Sequence, residues 1–193
     1  MTAITLNLQP TIKLTDKQFA LICSTNRDLR LELTATGELV IMPPTGGETG
    51  IKNSDLNYQL QVWNRRYKLG FVFDSSTGFK LPNGATRSPD AAWIKKERWE
   101  SLTSEQQKSF IPLCPDFVIE LRSKSDSLSD LQEKMQEYLA NGLILGWLID
   151  PQNQQVEVYQ SNFSVEIISN PKSISNKDIL SDFTLDLQDI LRL

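Results

Sequence analysis

Two carboxylates in apolar segments, Asp90 and Glu120, are the strongest candidates for catalytic or metal-binding groups. Glu120 lies in the apolar run PDFVIELRS, and Asp90 opens the apolar run AAWI directly after Pro89. An ionised carboxylate inside a buried strand is costly unless a cation pairs with it, so Glu120 requires a partner. If the two strands are sheet neighbours, the carboxylates converge on an oxygen-rich site that suits Mg²⁺ or Mn²⁺.

Each carboxylate also has a purely structural interpretation. Alternation along the strand places Glu120 and Arg122 on one face, so the two side chains could instead form an ion pair at the edge of a sheet. Asp90 by itself is typical of a turn or of the first position of a strand. The occurrence of both positions together favours the metal site.

The composition narrows the chemistry further. The chain of 193 residues has no histidine, which excludes histidine-containing catalytic triads and His-ligated metal sites. The formal charge is −4, but residues 1–100 carry 13 Lys and Arg against 10 Asp and Glu, whereas residues 101–193 carry 7 against 14. An anionic partner would therefore bind the first half. Cys23 and Cys114 are 91 positions apart, which indicates free thiols.

Hydrophobic periodicity predicts the elements that position these residues. Residues 15–25 indicate a short helix capped by Thr15 or Asp16, and RLELTA with GELVIMP indicates a strand pair that turns at Thr36 and Gly37. The glycines of TGGETG precede a helix of about 17 residues ending near Gly70. One face of this helix is apolar, and its members are Leu56, Leu60, Trp63 and Tyr67. We expect Trp63 and Tyr67 to pack in the core, with base stacking as the alternative.

The second half predicts the centre of the sheet. FVFDSSTGFKLP and RSPDAAWIK indicate adjacent strands joined by a turn at residues 82–84, and PDFVIELRS indicates a fully buried strand. Ser129 and Gln132 have the spacing of a capping box for a helix that Gly142 closes. GWLID, QVEVYQ and FSVEIIS are three more strands. We predict one domain over residues 1–193, an α/β (α+β) fold in which a mixed sheet with added β-hairpins is flanked by helices.

These residues resemble a known signature. Pro89-Asp90 followed by Glu120-Leu121-Arg122 is similar to the PD-(D/E)XK motif of the restriction-endonuclease-like superfamily. The segments GELVIMPPTGGETG, SPDAAWI, PDFVIELRS and KMQEYLANGLILGWLIDP together resemble the Uma-type family of bacterial restriction-endonuclease-like proteins, over residues 10–190. The resemblance implies a restriction-endonuclease-like core in which acidic residues hold a divalent metal.

The resemblance also implies roles for particular residues. Asp90 and Glu120 correspond to the metal ligands, and Glu48 lies near the place where some superfamily members supply a further acidic ligand; otherwise it is a helix N-terminal Glu favoured by the helix dipole. Arg122 stands where the signature has lysine; it cannot act as a base, although it could stabilise an oxyanion. In relatives, a lysine of the following helix can take this place. We predict Lys134 for it, with Lys124 in reserve and a solvated helix lysine as the alternative.

The expected function is metal-dependent hydrolysis of a nucleic-acid phosphodiester, most simply of DNA, with Mg²⁺ or Mn²⁺ as cofactor. A homodimer is expected from the resemblance, and a cytoplasmic location from the lack of a secretory segment or membrane span. The acidic balance and Arg122 favour an alternative, a degenerate nuclease fold that only binds nucleic acid or protein. A hydrolase based on Ser123 and Lys124 is disfavoured because adjacent strand residues face opposite sides. Whether the basic residues around Asp90 share one face stays open, and they are Lys52, Arg65, Arg66, Lys68, Lys80, Arg87, Lys95, Lys96 and Arg98.

Overall fold

The architecture comes from a computed structural model, which describes residues 3–192. The strands are β1 (Ile4–Leu6), β2 (Arg30–Leu33), β3 (Leu39–Met42), β4 (Gly70–Asp74), β5 (Phe79–Lys80), β6 (Thr86–Arg87), β7 (Ala91–Lys95), β8 (Phe117–Leu121), β9 (Leu145–Asp150), β10 (Gln155–Gln160), β11 (Glu166–Ser169), β12 (Ser173–Ser175) and β13 (Thr184–Asp186). The helices are α1 (Asp16–Thr25), α2 (Gly47–Tyr67), α3 (Lys96–Glu100), α4 (Ser104–Gln107) and α5 (Leu128–Ala140).

A six-stranded mixed sheet forms the centre of the protein, in the order β11-β10-β9-β8-β7-β4. Strands β8 and β9 pair in parallel, with α5 as their crossover, while the other pairs are antiparallel. The predicted strand–helix–strand unit is therefore confirmed. The pairing of β7 with β8 sets Ala91 opposite Ile119, so the strand ends that carry Asp90 and Glu120 are neighbours.

Helices cover both faces of this sheet, which explains why every residue of β8 and β9 is buried. On one face, Leu56, Leu60 and Trp63 of α2 pack with the C-terminal segment, so the predicted apolar stripe lies in the core. On the other face, Met135 and Tyr138 of α5 pack against the sheet. Because strand residues alternate between the two faces, Glu120 points to the side of α5.

The N-terminal half adds a five-stranded sheet in the order β1-β3-β2-β6-β5. The hairpin of β2 and β3 turns at Gly37, whose φ of 88° lies in the left-handed region that glycine tolerates. The predicted hairpin is thus confirmed, but it belongs to a larger sheet. The turn at residues 82–84 joins β5 to β6 within this sheet, whereas β4 pairs with β7 in the central one.

Side-chain caps mark the N-terminal ends of α1 and α5. Thr15 caps α1 in a capping box, as predicted. The predicted cap of α5 at Ser129 is wrong, since Ser127 is the N-cap and its Oγ accepts a hydrogen bond from the amide of Asp130. Ser129 instead lies in the first turn, where its Oγ is 2.7 Å from that of Ser127. Earlier capping lengthens this helix toward the cleft described below.

Two sequence expectations concern thiols and membrane spans. Cys23 and Cys114 are both free, and Cys114 is buried. Across residues 3–192, no helix combines the length and the apolar character that crossing a membrane requires.

Gly70 is a position where the fold leaves no room for a side chain. A Cβ there would come within 2.1 Å of the main-chain oxygen of Ile94, whereas one at Gly50 would meet nothing within 4 Å. We expect Gly70→Ala to lower the free energy of unfolding by at least about 2 kcal/mol. The matched variant Gly50→Ala should raise it by up to about 1 kcal/mol, because alanine is the better helix former. Urea denaturation measures both, and equal stability of the two variants would contradict the packing described.

Candidate active site

Glu120 lies at the floor of a cleft, on the face of β8 that meets α5. Its side chain is 5% exposed. Lys134 Nζ is 2.9 Å from its Oε1, and the hydroxyl of Tyr138 donates a hydrogen bond of 3.0 Å to the same oxygen. The pKa of Glu120 is raised to about 7: burial is the largest cause, Lys134 opposes the shift, and the charges of Asp90 and Glu32 add to it. The carboxyl therefore exchanges its proton near neutral pH.

Lys134 is shared by two carboxylates. Besides its contact with Glu120, its Nζ lies 3.0 Å from Oε1 of Glu32. Burial opposes the charge on Lys134, but the two carboxylates outweigh burial and raise its pKa above the usual range. Lys134 is consequently an ammonium ion at neutral pH, which suits charge stabilisation and excludes proton abstraction.

Asp90 is held beside Glu120 by main-chain and amide groups. Its Oδ2 accepts a hydrogen bond of 2.9 Å from the amide of Leu121, and its Oδ1 accepts one of 3.1 Å from Asn53 Nδ2. Asn57, one turn further along α2, donates to the main-chain oxygen of Asp90 at 3.0 Å. Burial raises the pKa of Asp90. The structure thus brings Asp90, Glu120 and Lys134 together, each from a different element.

Glu32 and Arg87 belong to the same charge network, and sequence reasoning gave neither a role in the site. Glu32 is 2% exposed, and Arg87 lies 3.2 Å from it while also contacting Glu137 at 2.5 Å. The amide of Ser88 donates to Glu32 at 2.8 Å. Burial opposes ionisation of Glu32, but Lys134 and Arg87 keep its pKa below the usual value. Because Glu32 alternates with leucines in β2, its pattern is that of an exposed strand face, so the sequence held no signal for it.

Arg122 does not contact Glu120. Its Nη1 lies 2.9 Å from Oδ2 of Asp150, a fully buried carboxylate at the end of β9, and its Nε donates to the main-chain oxygen of Asp126 at 3.3 Å. The amide of Ser123 in turn donates to Asp126 Oδ2. The arginine at the signature position therefore anchors the loop of residues 122–127 to the central sheet.

Glu48 lies at the mouth of the cleft, where its side chain is 48% exposed. Lys124 and Lys52 contact it at 3.2 and 3.3 Å, and their hydrogen bonds lower its pKa. Lys124 is thus engaged by Glu48 and not by the buried carboxylates. Ser123 Oγ lies 3.2 Å from Ser125 Oγ. The role of Glu48 as a metal ligand stays a prediction.

These groups line a cleft of about 1070 Å³ between β2, the start of α2, the loop 122–127 and α5. Of the basic residues predicted around Asp90, Lys52 and Arg87 line it. The acidic lining residues are Glu32, Glu38, Glu48, Asp90, Glu120, Asp126, Asp130, Glu133 and Glu137, and the basic ones are Arg30, Lys52, Arg87, Arg122, Lys124 and Lys134. The cleft is therefore acidic, and it concentrates cations better than it concentrates phosphates.

The donor set at the floor of the cleft fits a hard divalent cation. Asp90 and Glu120 supply carboxylate oxygens, and the side-chain oxygen of Asn53 is buried without a hydrogen-bond partner. Oxygen donors of this kind suit Mg²⁺ or Mn²⁺. Within residues 3–192, no three acidic, histidine or cysteine side chains are grouped so as to hold a metal ion.

The mixed sheet flanked by helices is a nuclease-like fold. A solved structure with the same fold is that of a "putative nuclease belonging to DUF820" from Anabaena variabilis ATCC 29413; its TM-score is 0.70 at 19% identity, over 83% of this chain and 89% of that one. Residues 16–188 match the Uma2 family, described as "Putative restriction endonuclease", and the chain belongs to this family. No curated protein matches significantly. The family resemblance of the sequence is confirmed, and the description of the family supports a nuclease function.

Glu120 gives the metal-free protein a defined pH dependence. Its pKa is about 7 in the folded state against 4.5 ordinarily, so the folded state binds this proton more tightly than the unfolded chain. The resulting stability is fully present below about pH 4.5 and is lost as the pH rises to about 7. In EDTA, we expect wild type to lose up to about 3 kcal/mol of unfolding free energy between about pH 5 and 8 relative to Glu120→Gln. Urea titrations measure this difference, and parallel curves for the two proteins would contradict it.

Proposed function

We propose that this chain is a metal-dependent endonuclease that hydrolyses phosphodiester bonds of nucleic acid, with DNA as its substrate. The observation that carries the proposal is the contact of 2.9 Å between Lys134 and Glu120 at the floor of a cleft, beside Asp90. If Lys134 had pointed to solvent, the structure would instead have favoured a protein that binds nucleic acid or a protein partner without cleaving it. The proposal assigns the lysine of the signature to the helix after the strand.

Asp90 and Glu120 are the residues that would hold Mg²⁺ or Mn²⁺. When bound, such an ion polarises a phosphate and lowers the pKa of a water molecule. Asn53 and the amide of Leu121 orient Asp90, and Tyr138 orients Glu120. Burial, Glu120 and Glu32 keep the pKa of Tyr138 above its usual range, so its hydroxyl stays a donor. These contacts keep both carboxylates aimed at one place.

Lys134 would stabilise the negative charge that develops on the phosphate in the transition state. Its ammonium is fixed by Glu120 and Glu32, so little reorganisation is needed when the charge appears. Since Lys134 keeps its proton, the attacking water must lose its own proton to another acceptor. Arg122 is engaged by Asp150, and we assign it to positioning the loop 122–127 instead of to the charge of the phosphate.

A second candidate function has its own observation. Five of the six basic residues that line the cleft are already bound to carboxylates, with Arg30 as the exception. The pI of 5.0 is also unusual for a protein that acts on DNA. These features favour a degenerate nuclease fold that binds nucleic acid or a protein partner without cleaving it. Catalysis and binding are separated by the following experiment.

Plasmid nicking tests the proposal. With Mg²⁺ or Mn²⁺ we expect cleavage by the wild type that EDTA abolishes, because two carboxylates alone cannot activate water. Asp90→Asn, Glu120→Gln and Lys134→Met should each lose at least about 100-fold in rate. Lys108→Ala, an exposed lysine outside the cleft, is the matched control and should cleave as the wild type does.

Arg122→Lys sharpens this test because it restores the signature lysine. If Arg122 anchors the loop, lysine cannot reach both Asp150 and the oxygen of Asp126, so the rate should fall and Asp150→Asn should produce the same loss. A faster Arg122→Lys enzyme would contradict the assignment to Lys134. No cleavage of duplex, single-stranded or RNA substrates by the wild type would favour the binding module.

We further propose that the protein acts in the cytoplasm. We also propose that it is a homodimer, since enzymes that cut both strands of a duplex need two sites. Exposed apolar residues along one side of α2, namely Ile51, Tyr58 and Val62, are the surface we assign to self-association. Light scattering should give about twice the chain mass of 21.9 kDa, and Tyr58→Asp should reduce it to that of one chain. A monomeric wild type would contradict the dimer.

A further inference from the structure

The side-chain amide of Asn53 has a fixed orientation. Its Nδ2 donates to Asp90 Oδ1 at 3.1 Å, and the opposite orientation would set two oxygens against each other. Asn57, four residues later on the same face of α2, donates to the main-chain oxygens of both Asn53 and Asp90. Asp90 therefore contacts the nitrogen of the Asn53 amide and leaves the oxygen of the same amide without this contact.

That oxygen is buried and has no hydrogen-bond partner among the described residues. A buried carbonyl oxygen without a partner destabilises the folded state, so its presence calls for a ligand. Two other buried atoms share this condition, Asp116 Oδ1 and Trp147 Nε1. Asp116 Oδ1 lies 2.9 Å from Arg98, and the indole nitrogen of Trp147 is a donor, which does not bind cations. Of the three residues, Asn53 is the one that lines the cleft with Asp90 and Glu120.

We propose that Asn53 Oδ1 is the third protein ligand of the divalent cation that Asp90 and Glu120 hold, an inference that rests on the proposed function. Among residues 3–192, no three acidic, histidine or cysteine side chains are grouped so as to hold a metal ion, and Asn53 Oδ1 is a neutral donor next to Asp90. Amide carbonyl oxygens are ordinary ligands of hard cations.

Titration of the full chain with Mn²⁺, followed by electron paramagnetic resonance, tests the proposal without relying on cleavage. Asn53→Ala should weaken Mn²⁺ binding by at least about tenfold. Asn53→Asp keeps an oxygen at this position but loses the hydrogen bond to Asp90, and it should bind Mn²⁺ at least as tightly as wild type. Ser54→Ala, the exposed neighbour on α2, is the control and should leave the affinity unchanged.

A second measurement detects coordination directly. In protein labelled with ¹³C at the asparagine side-chain carbonyls, electron–nuclear double resonance of bound Mn²⁺ should show a ¹³C coupling that disappears in Asn53→Ala. Wild-type affinity in Asn53→Ala, equal weakening in Asn53→Ala and Asn53→Asp, or the lack of a ¹³C coupling would each overturn the ligand role. Two other results would overturn the proposed function together with this inference. One is a wild-type protein that binds no Mn²⁺, and the other is a Glu120→Gln variant that binds Mn²⁺ as tightly as the wild type.

Discussion

One ammonium ion shared by two buried carboxylates is the interaction on which the rest of this site depends. Lys134 lies between Glu120 and Glu32, and without it both carboxylates would be buried side by side. The outcome is uneven, because Glu32 also has Arg87 and a main-chain amide and stays ionised, whereas the pKa of Glu120 rises to about 7. The site thus holds one permanent anion and one carboxyl that is ready to exchange its proton for another cation.

The parallel crossover supplies this arrangement. Strand β8 carries Glu120, and α5 crosses the same face of the sheet before β9 pairs in parallel with β8, so Lys134 and Tyr138 approach from above the strand that precedes them. The five-stranded sheet then closes the site from the other side with Glu32. Strand β8, helix α5 and the five-stranded sheet thus meet at Lys134. Its contacts with Glu120 and Glu32 explain how the fold tolerates buried carboxylates in the cleft.

The replacement of the signature lysine by Arg122 has a structural explanation in the same crossover. Asp150 is fully buried at the end of β9, where it also accepts hydrogen bonds from the amides of Gln152 and Asn153. A guanidinium suits this buried carboxylate because two of its nitrogens, Nη1 and Nε, reach Asp150 and the main-chain oxygen of Asp126 at once, whereas a lysine has a single side-chain nitrogen. Arg122, which follows β8, therefore anchors the loop 122–127. Lys134 of α5 supplies the ammonium that contacts Glu120 and Glu32.

Sequence patterns alone sufficed for the strands and helices of the central sheet, for their order and for the family. The apolar runs of β8 and β9, the 3.6-residue stripe of α2 and the glycine turns are local patterns, so they could be read without knowing what packs on what. The sequence left it open whether the strands of Asp90 and Glu120 are neighbours, and the pairing of β7 with β8 confirms that they are. Tertiary structure alone decided which charges meet. Glu32 alternates with leucines as an exposed residue would, and it is buried because Lys134 of α5 and Arg87 of β6 lie against it. Likewise, Arg122 shares the strand alternation of Glu120 but turns to Asp150. The unpartnered oxygen of Asn53 exists only because the amide nitrogen of this α2 residue is bonded to Asp90.

Local periodicity records which face of an element is apolar. Ion pairing depends instead on distances between segments far apart in the chain, and only the folded chain sets those distances.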